Sequence, residues 1–215
     1  MKIRFTIALL IISVNYIFSQ ENVIKTEGVE IIKADNPQSG NTQNGIYTCN
    51  IFDWSIKIPE GYKIIKVKEI QPLEEKGNNE IKKNISKNTL IEKRIHLIAF
   101  NLNRINTFSA GLYTIDKTKK TKLEEHKKTT IELLKNSFSK IENAKFEFEI
   151  SDLKIGNYNF YKIKIEGYNK SNNQLILTQI YYNSFIKDYL FMALITYNDI
   201  KERKILEENF VNSLK

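Results

Sequence analysis

The sequence predicts an α+β fold, in which helices pack on a mostly antiparallel β-sheet. Three observations predict it. Most apolar segments alternate with polar residues at a period of two, as strands with one buried face do. Short links join the last four of these segments, which favours antiparallel pairing of neighbours. Residues 120–144 instead repeat their apolar side chains at helical spacing.

The first 19 residues are predicted to form a secretory signal peptide. Lys2 and Arg4 precede an apolar run from Phe5 to Val14, and a more polar end follows. This run is shorter than the roughly 20 apolar residues that span a bilayer. We therefore expect export to the periplasm or the extracellular medium, without a transmembrane segment in the mature form. A retained membrane anchor is the alternative.

The folded domain is predicted to begin at residue 46. Residues 20–45 are predicted to be flexible, because turn and linker residues dominate 33–45. Two strands follow within 46–58 and end at Pro59, which cannot donate to a sheet ladder. The highly polar residues 66–88 are predicted to be a long insertion in a single domain that runs to residue 215.

The second half of the domain is predicted to hold most of the sheet. A strand pair at 91–103 and 108–116 precedes the helix, whose inward stripe is Leu123, Lys127, Ile131, Leu134, Phe138 and Ile141. Four strands follow, at 145–155, 160–168, 174–184 and 188–198. The last of them is apolar on both faces, which predicts a central strand covered on both sides.

A C-terminal helix is predicted after these strands. Asp199 is its expected N-cap, with Glu202 completing a capping box. Leu206, Phe210 and Leu214 are its expected buried stripe.

The order of these elements resembles a known family. A strand pair ends in Pro59-Glu60-Gly61-Tyr62, a long helix and a meander follow, and the last helix is entered through "TYND" and closes on "NFVNSLK". This order is similar to the PsbP-like family, named for the extrinsic subunit P of photosystem II, and to the related Mog-type proteins. The resemblance covers about residues 46–215, with Tyr62 where Trp is commoner and with 66–88 as a further departure.

The resemblance implies an α/β/α sandwich, with helices on both faces of a mostly antiparallel sheet. It also implies a non-catalytic accessory or binding role, and no functional residue is carried over from the family. Fold alone does not assign function.

The charge of the chain argues against nucleic acid as a partner. The formal net charge is +8, but only four of the 33 basic residues are arginine: Arg4, Arg94, Arg104 and Arg203. Readers of nucleic-acid sequence rely on arginine for bidentate contacts. A mild attraction to anionic envelope surfaces is compatible with this lysine-rich composition.

Few residues suggest metal or thiol chemistry, and no cofactor is predicted. The lone Cys49 on an alternating strand is expected to be a buried apolar side chain rather than a reactive thiol. His126 is expected on the solvated face of its helix, and His96 under partial cover. The nearest case to a metal site is His126 with Glu124 and Glu125, but neighbours one or two apart on a helix point away from each other, so no metal site is predicted.

Glu147 and Glu149 share one face of a predicted strand, with Asp152 and Glu166 as potential neighbours. Such carboxylates could bind Ca²⁺ or perform acid/base work. The alternative is a polar outer face opposite a Phe core face.

Tyrosines crowd the C-terminal meander. Tyrosine is common at protein interfaces because it combines contact area with a polar tip. Tyr158, Tyr168 and Tyr182 are therefore the predicted interface residues. Tyrosine also suits strands and is frequent in this composition, which is the competing explanation.

The function predicted from these observations is that of an exported, non-catalytic binding or accessory protein of the bacterial cell envelope, with an envelope protein as the partner. One alternative is a carrier or sensor of a small apolar ligand held between the sheet and the helix at 120–144. A hydrolase is the other alternative, and it requires Glu147, Glu149 and Asp152 to converge in one cleft.

Overall fold

The computed structural model describes residues 39–66, 69, 94–114 and 123–214. The predicted signal peptide and nearly all of the 66–88 insertion lie outside these residues. The elements in chain order are β1 (Gly40–Gln43), β2 (Ile46–Cys49), β3 (Ser55–Lys57), β4 (Lys63–Ile64), β5 (Arg94–Asn101), β6 (Thr107–Thr114), α1 (Leu123–Phe138), β7 (Ala144–Ile155), β8 (Tyr158–Asn169), β9 (Leu175–Ile186), β10 (Tyr189–Tyr197) and α2 (Ile200–Val211).

The main sheet is antiparallel throughout and has the strand order β4-β5-β6-β10-β9-β8-β7. β10 stands at its centre, as the apolar sequence of this strand predicted. Tight turns join β7 to β8 and β9 to β10, with Gly156 and Lys187 at φ of 55° and 54°. The fold is thus a mostly antiparallel sheet with two helices in the described part of the chain.

A second, three-stranded sheet contains β1, β2 and β3. The prediction that residues 20–45 are flexible is wrong for Gly40–Gln43, which pairs with β2. Asn44 and Gly45 form the turn between them, with φ of 50° and 71°, as a two-residue hairpin turn requires. The Tyr47 hydroxyl holds the start of β1 by donating to the Ser39 carbonyl at 3.0 Å.

The two helices bury their apolar residues in two separate clusters. Leu206 and Phe210 of α2 belong to the larger cluster, together with Trp54, which directly precedes β3. Leu134 and Phe138 of α1 belong to the smaller one. Adjacent residues of β8 divide between them: Phe160 lies in the α2 cluster, and Tyr161 lies in the α1 cluster.

The ends of the helices differ in part from the prediction. α1 is shorter than 120–144 and stops at Phe138, where Ser139 and Lys140 form a turn. Asp199 caps α2 by accepting a hydrogen bond from the Lys201 amide at 2.8 Å. The carboxylate of Glu202 accepts a hydrogen bond from the Tyr62 hydroxyl, which ties the turn after Pro59 to the first turn of α2.

Candidate functional site

A cluster of polar side chains lies where α2 meets β8 and β9. Glu207 Oε1 accepts hydrogen bonds from Lys162 Nζ at 2.9 Å and from the Tyr182 hydroxyl at 2.8 Å. Glu207 Oε2 accepts from Arg203 Nε at 2.7 Å. The side chains of Glu207 and Lys162 are only 13% and 18% exposed. We call these four residues the Glu207 cluster.

Local structure brings the cluster together. Lys162 of β8 and Tyr182 of β9 are register partners, so both side chains project from one face of the sheet. Arg203 and Glu207 are four residues apart on α2 and therefore adjacent on its surface. Sequence patterns did not predict this site, although the i, i+4 pair on the last helix and a lysine at an inward position of β8 are signals of it.

The electrostatics of the cluster favour fixed charges over proton transfer. Burial alone would raise the pKa of Glu207, but the hydrogen bonds from Arg203, Lys162 and Tyr182 outweigh it and lower that pKa. Burial, aided by the Glu207 charge, raises the pKa of Tyr182. The carboxylate is therefore ionised and the phenol neutral at pH 7, which suits a rigid anchoring role.

Beside this cluster, charged side chains continue along β7 and β8. Lys164 Nζ lies 2.9 Å from Glu166 Oε1 and 3.7 Å from Glu149 Oε2. Lys145 Nζ lies 2.5 Å from Glu147 Oε1. We call these five residues the charged ladder. Glu147 and Glu166 are register partners, and the two lysines offset the repulsion between such opposed like charges.

The predicted interface tyrosines occupy three different environments. Tyr182 is 1% exposed and belongs to the Glu207 cluster, so its ring is not available at the surface. Tyr158 is half-buried and packs edge-on against Phe52. Tyr168 is half-buried and donates to Glu166 Oε2 at 3.2 Å, at the end of the charged ladder. Tyr158 and Tyr168 stand about 33 Å apart along β8 at the usual strand rise, so the three do not form one patch.

The carboxylates that a hydrolase would need are not brought together. Glu147 and Glu149 are exposed members of the charged ladder. Asp152 projects from the opposite face of β7, because side chains alternate along a strand, and its carboxylate lies 2.6 Å from Lys127 Nζ. Within the described residues, no group of three metal-ligating side chains could hold an ion.

At the smaller apolar cluster, α1 packs directly on the main sheet. Phe138 of α1 packs against Phe146 and Phe148, with ring centroids 4.5 Å and 5.8 Å away. Leu134 is buried in the same cluster. These side chains occupy the space between this part of α1 and the strands beneath it. A carrier of a small apolar ligand would need a cavity at this position.

His126 is not on the solvated face of α1, contrary to the prediction. Its Nδ1 lies 2.6 Å from the Tyr161 hydroxyl, and its ring contacts Phe185. His96 is half-buried, as expected for a residue under partial cover, and Cys49 is buried as predicted. The buried face of an amphipathic helix is wider than a single line of residues. His126, which lies beside the stripe that contains Leu123 and Lys127, therefore also faces the sheet.

The burial of His126 predicts a pH dependence of stability. Burial lowers its pKa below the ordinary value of about 6.5. The unfolded chain therefore binds a proton before the folded chain does, and stability falls as the pH drops from about 6.5. We expect His126→Gln to flatten this decline in urea-unfolding free energies between pH 7 and pH 5.

The matched control for this measurement is Lys128→Gln, an exposed residue two positions along α1. It should keep the wild-type slope between pH 7 and pH 5. An unchanged slope in His126→Gln would contradict the assignment of the decline to this histidine.

Comparisons with known proteins find similarity at the level of structure. The chain matches no protein-family model and no curated protein. It is similar to the solution structure of cyanobacterial PsbP (CyanoP) from Synechocystis sp. PCC 6803, with a TM-score of 0.47 and 8% sequence identity. The similarity covers 79% of this chain and 87% of that chain. A similarity of this size assigns neither family nor function.

Among the helices that the structure describes, none combines the length and the apolar composition needed to cross a membrane.

Proposed function

We propose that the protein is an exported, non-catalytic binding or accessory protein of the bacterial cell envelope, in the periplasm or outside the cell. The observation that carries the binding role is the charged ladder with Tyr168 at its end. Its side chains are paired with one another at fixed positions on two strands, and those of Lys145, Glu147 and Glu149 face solvent. The basic and apolar pattern of residues 1–19 supports export.

The chemistry of the nearby groups supports binding over catalysis. A catalytic acid or base works best with a pKa near the operating pH. At the Glu207 cluster, the pKa of the carboxyl is lowered and that of the Tyr182 phenol is raised, so both move away from neutrality. Burial, followed by the Glu166 charge, likewise raises the pKa of Tyr168. The Glu207 cluster therefore holds fixed charges beneath the surface, and the half-buried Tyr168 keeps a neutral hydroxyl beside the charged ladder.

We further infer that the fold is an α/β/α sandwich. Side chains alternate between the two faces of a strand. Of two adjacent residues on β8, Phe160 lies in the cluster that contains α2 residues, and Tyr161 lies in the cluster that contains α1 residues. This arrangement supports one helix on each face of the sheet. The charged ladder lies on the same face of the sheet as the Glu207 cluster, further along β8 from Lys162 and on β7.

A partner surface centred on Tyr168 follows from this arrangement. Tyrosine contributes strongly where its ring is enclosed by a partner, and charged neighbours set orientation and association rate. In this proposal Tyr158 forms a separate contact at the other end of β8. Tyr182 supports the surface from below by holding Glu207 and, through it, Lys162.

The test is crosslinked capture of the full-length protein from its own host, read by mass spectrometry. We expect one reproducible envelope partner, whose capture falls about tenfold or more in Tyr168→Ala, as for a central interface tyrosine. Lys154→Ala, an exposed change on β7 whose side chain alternates to the other face, is the control and should capture the partner normally. An identical set of captured proteins for Tyr168→Ala would show that the proposed surface is wrong.

A further inference from the structure

β7 stands last in the strand order of the main sheet. It is twelve residues long, and in the part of the chain that the structure describes it pairs with β8 on one side only. Four consecutive residues in its middle, 149–152, are exposed although they point alternately to both faces. An open edge exposes a row of backbone donors and acceptors that another strand can pair with.

Two features of β7 bear on what pairs with it. Ile150 is a large apolar side chain, 37% exposed, at the middle of the strand. The other exposed side chains are mostly charged: Lys145, Glu147, Glu149, Asp152 and Lys154. Charges on an edge strand usually oppose pairing, but their spacing also decides which pairings bring like charges together and which do not.

We propose that β7 pairs antiparallel with β7 of a second copy of the chain, about a two-fold axis at Ile150. The pairs across this axis would be Ile150 with Ile150, Glu149 with Ser151, Phe148 with Asp152, Glu147 with Leu153, Phe146 with Lys154 and Lys145 with Ile155. No like charges oppose each other in this register, and the exposed isoleucines meet at the axis. Two-fold pairing of identical surfaces is the commonest symmetry of soluble oligomers.

The charges reject most of the competing registers. A two-fold axis perpendicular to the sheet keeps each side chain on its own face. The axis must therefore pass between the two copies of one residue. Each possible register is named by that residue. The axis positions that pair most of β7 are residues 148, 149, 150 and 151. An axis at Glu149 opposes two Glu149 side chains, and an axis at Phe148 opposes Glu147 to Glu149, which is destabilising.

The remaining register has its axis at Ser151. It avoids opposed like charges but places the exposed apolar side chain of Ile150 against the carboxylate of Asp152. The axis at Ile150 instead sets the two exposed Ile150 side chains against each other, which removes their apolar surface from water. The sequence of β7 therefore favours one register over its neighbours, as interfaces that use repulsion for specificity do.

Disulfide trapping tests the register. Directly opposed residues of antiparallel strands have Cα atoms about 4.5–5.5 Å apart, within the range of a disulfide. Ile150→Cys in the full chain should therefore form a covalent dimer with oxidised glutathione. Ser151→Cys is the control, since its two copies would be about 8 Å apart, beyond the reach of a disulfide. The native Cys49 is buried and supplies the wild-type background.

Sedimentation of the unmodified chain tests the dimer itself. We expect wild type to sediment as a concentration-dependent dimer and Ile150→Lys to remain monomeric over the same concentrations. Leu175→Lys alters a side chain of similar exposure, 38%, on β9 and should still dimerise. A wild-type monomer at all concentrations would overturn the proposal. Faster crosslinking of Ser151→Cys than of Ile150→Cys would overturn the register.

Discussion

Replacing Phe210 with alanine should lower the free energy of unfolding by about 3–5 kcal/mol, the range for truncating a buried aromatic side chain. Phe210 is fully buried. Its ring lies 4.7 Å from Tyr182, 5.9 Å from Phe108 and 6.1 Å from Phe160, measured between centroids. The loss combines the transfer of apolar surface with a cavity among strands that are held in place by their own hydrogen bonds.

The effect should be large because this side chain joins several elements. Phe210 extends from α2 to rings on β6, β8, β9 and β10, including Phe191 at 6.2 Å. Urea unfolding of the full chain, followed by circular dichroism, gives the measurement. Val211→Ala, the next residue and 38% exposed, should change stability by less than about 0.5 kcal/mol. A loss below about 1 kcal/mol for Phe210→Ala would show that α2 is not anchored here.

Most of the sheet could be predicted from the sequence because its strands carry local signals. Alternation along β7 and β8, the doubly apolar β10 and the capped α2 each determine an element without reference to distant residues. β1 was missed since its residues, Gly40–Gln43, are polar and lie among linker residues. The adjacent Asn44-Gly45 pair is a strong hairpin signal, and it would have revealed the strand.

The Glu207 cluster and the place of His126 could not be predicted in the same way. Both depend on which face of a helix packs on which strand. Such packing is tertiary structure and leaves no local pattern in the sequence. Lys162 and Glu207 are 45 residues apart in the chain. Burial of Tyr182 likewise follows from α2 lying over β9, as the contact of its ring with Phe210 shows. Local pattern therefore predicted the elements well and their contacts poorly.

Removal of the Glu207 carboxylate should have the second large effect. Glu207→Ala leaves Lys162, Arg203 and the Tyr182 hydroxyl without their common acceptor. Loss of one partner of a largely buried polar group costs about 1–3 kcal/mol, and more where the remaining group is charged. We expect a destabilisation in that range at pH 7, measured by urea unfolding. The exposed neighbour Glu208→Ala should change stability by less than about 0.5 kcal/mol.

The pH dependence of this difference separates charge from packing. The pKa of Glu207 is lowered in the folded chain, since the hydrogen bonds from its partners outweigh burial. Its contribution is therefore fully present above the ordinary carboxyl pKa of about 4.3 and is lost as the pH falls through the lowered value. The stability gap between wild type and Glu207→Ala should shrink accordingly on acidification. A gap that stays constant would assign the loss to packing alone.

A double-mutant cycle then tests whether Lys162 is the main partner. Lys162→Met removes the charge but keeps an apolar stem over the Tyr182 ring, where Lys162 Nζ now lies 5.6 Å from the centroid. If the pair is coupled, Glu207→Ala should cost less in the Lys162→Met background, with an interaction free energy of about 0.5–3 kcal/mol. Additive losses of stability would instead assign the contribution of Glu207 to its hydrogen bonds with Arg203 and Tyr182. Coupling would show that Glu207 stabilises the fold mainly by neutralising a lysine that β8 carries into a largely apolar face, close to the charged ladder.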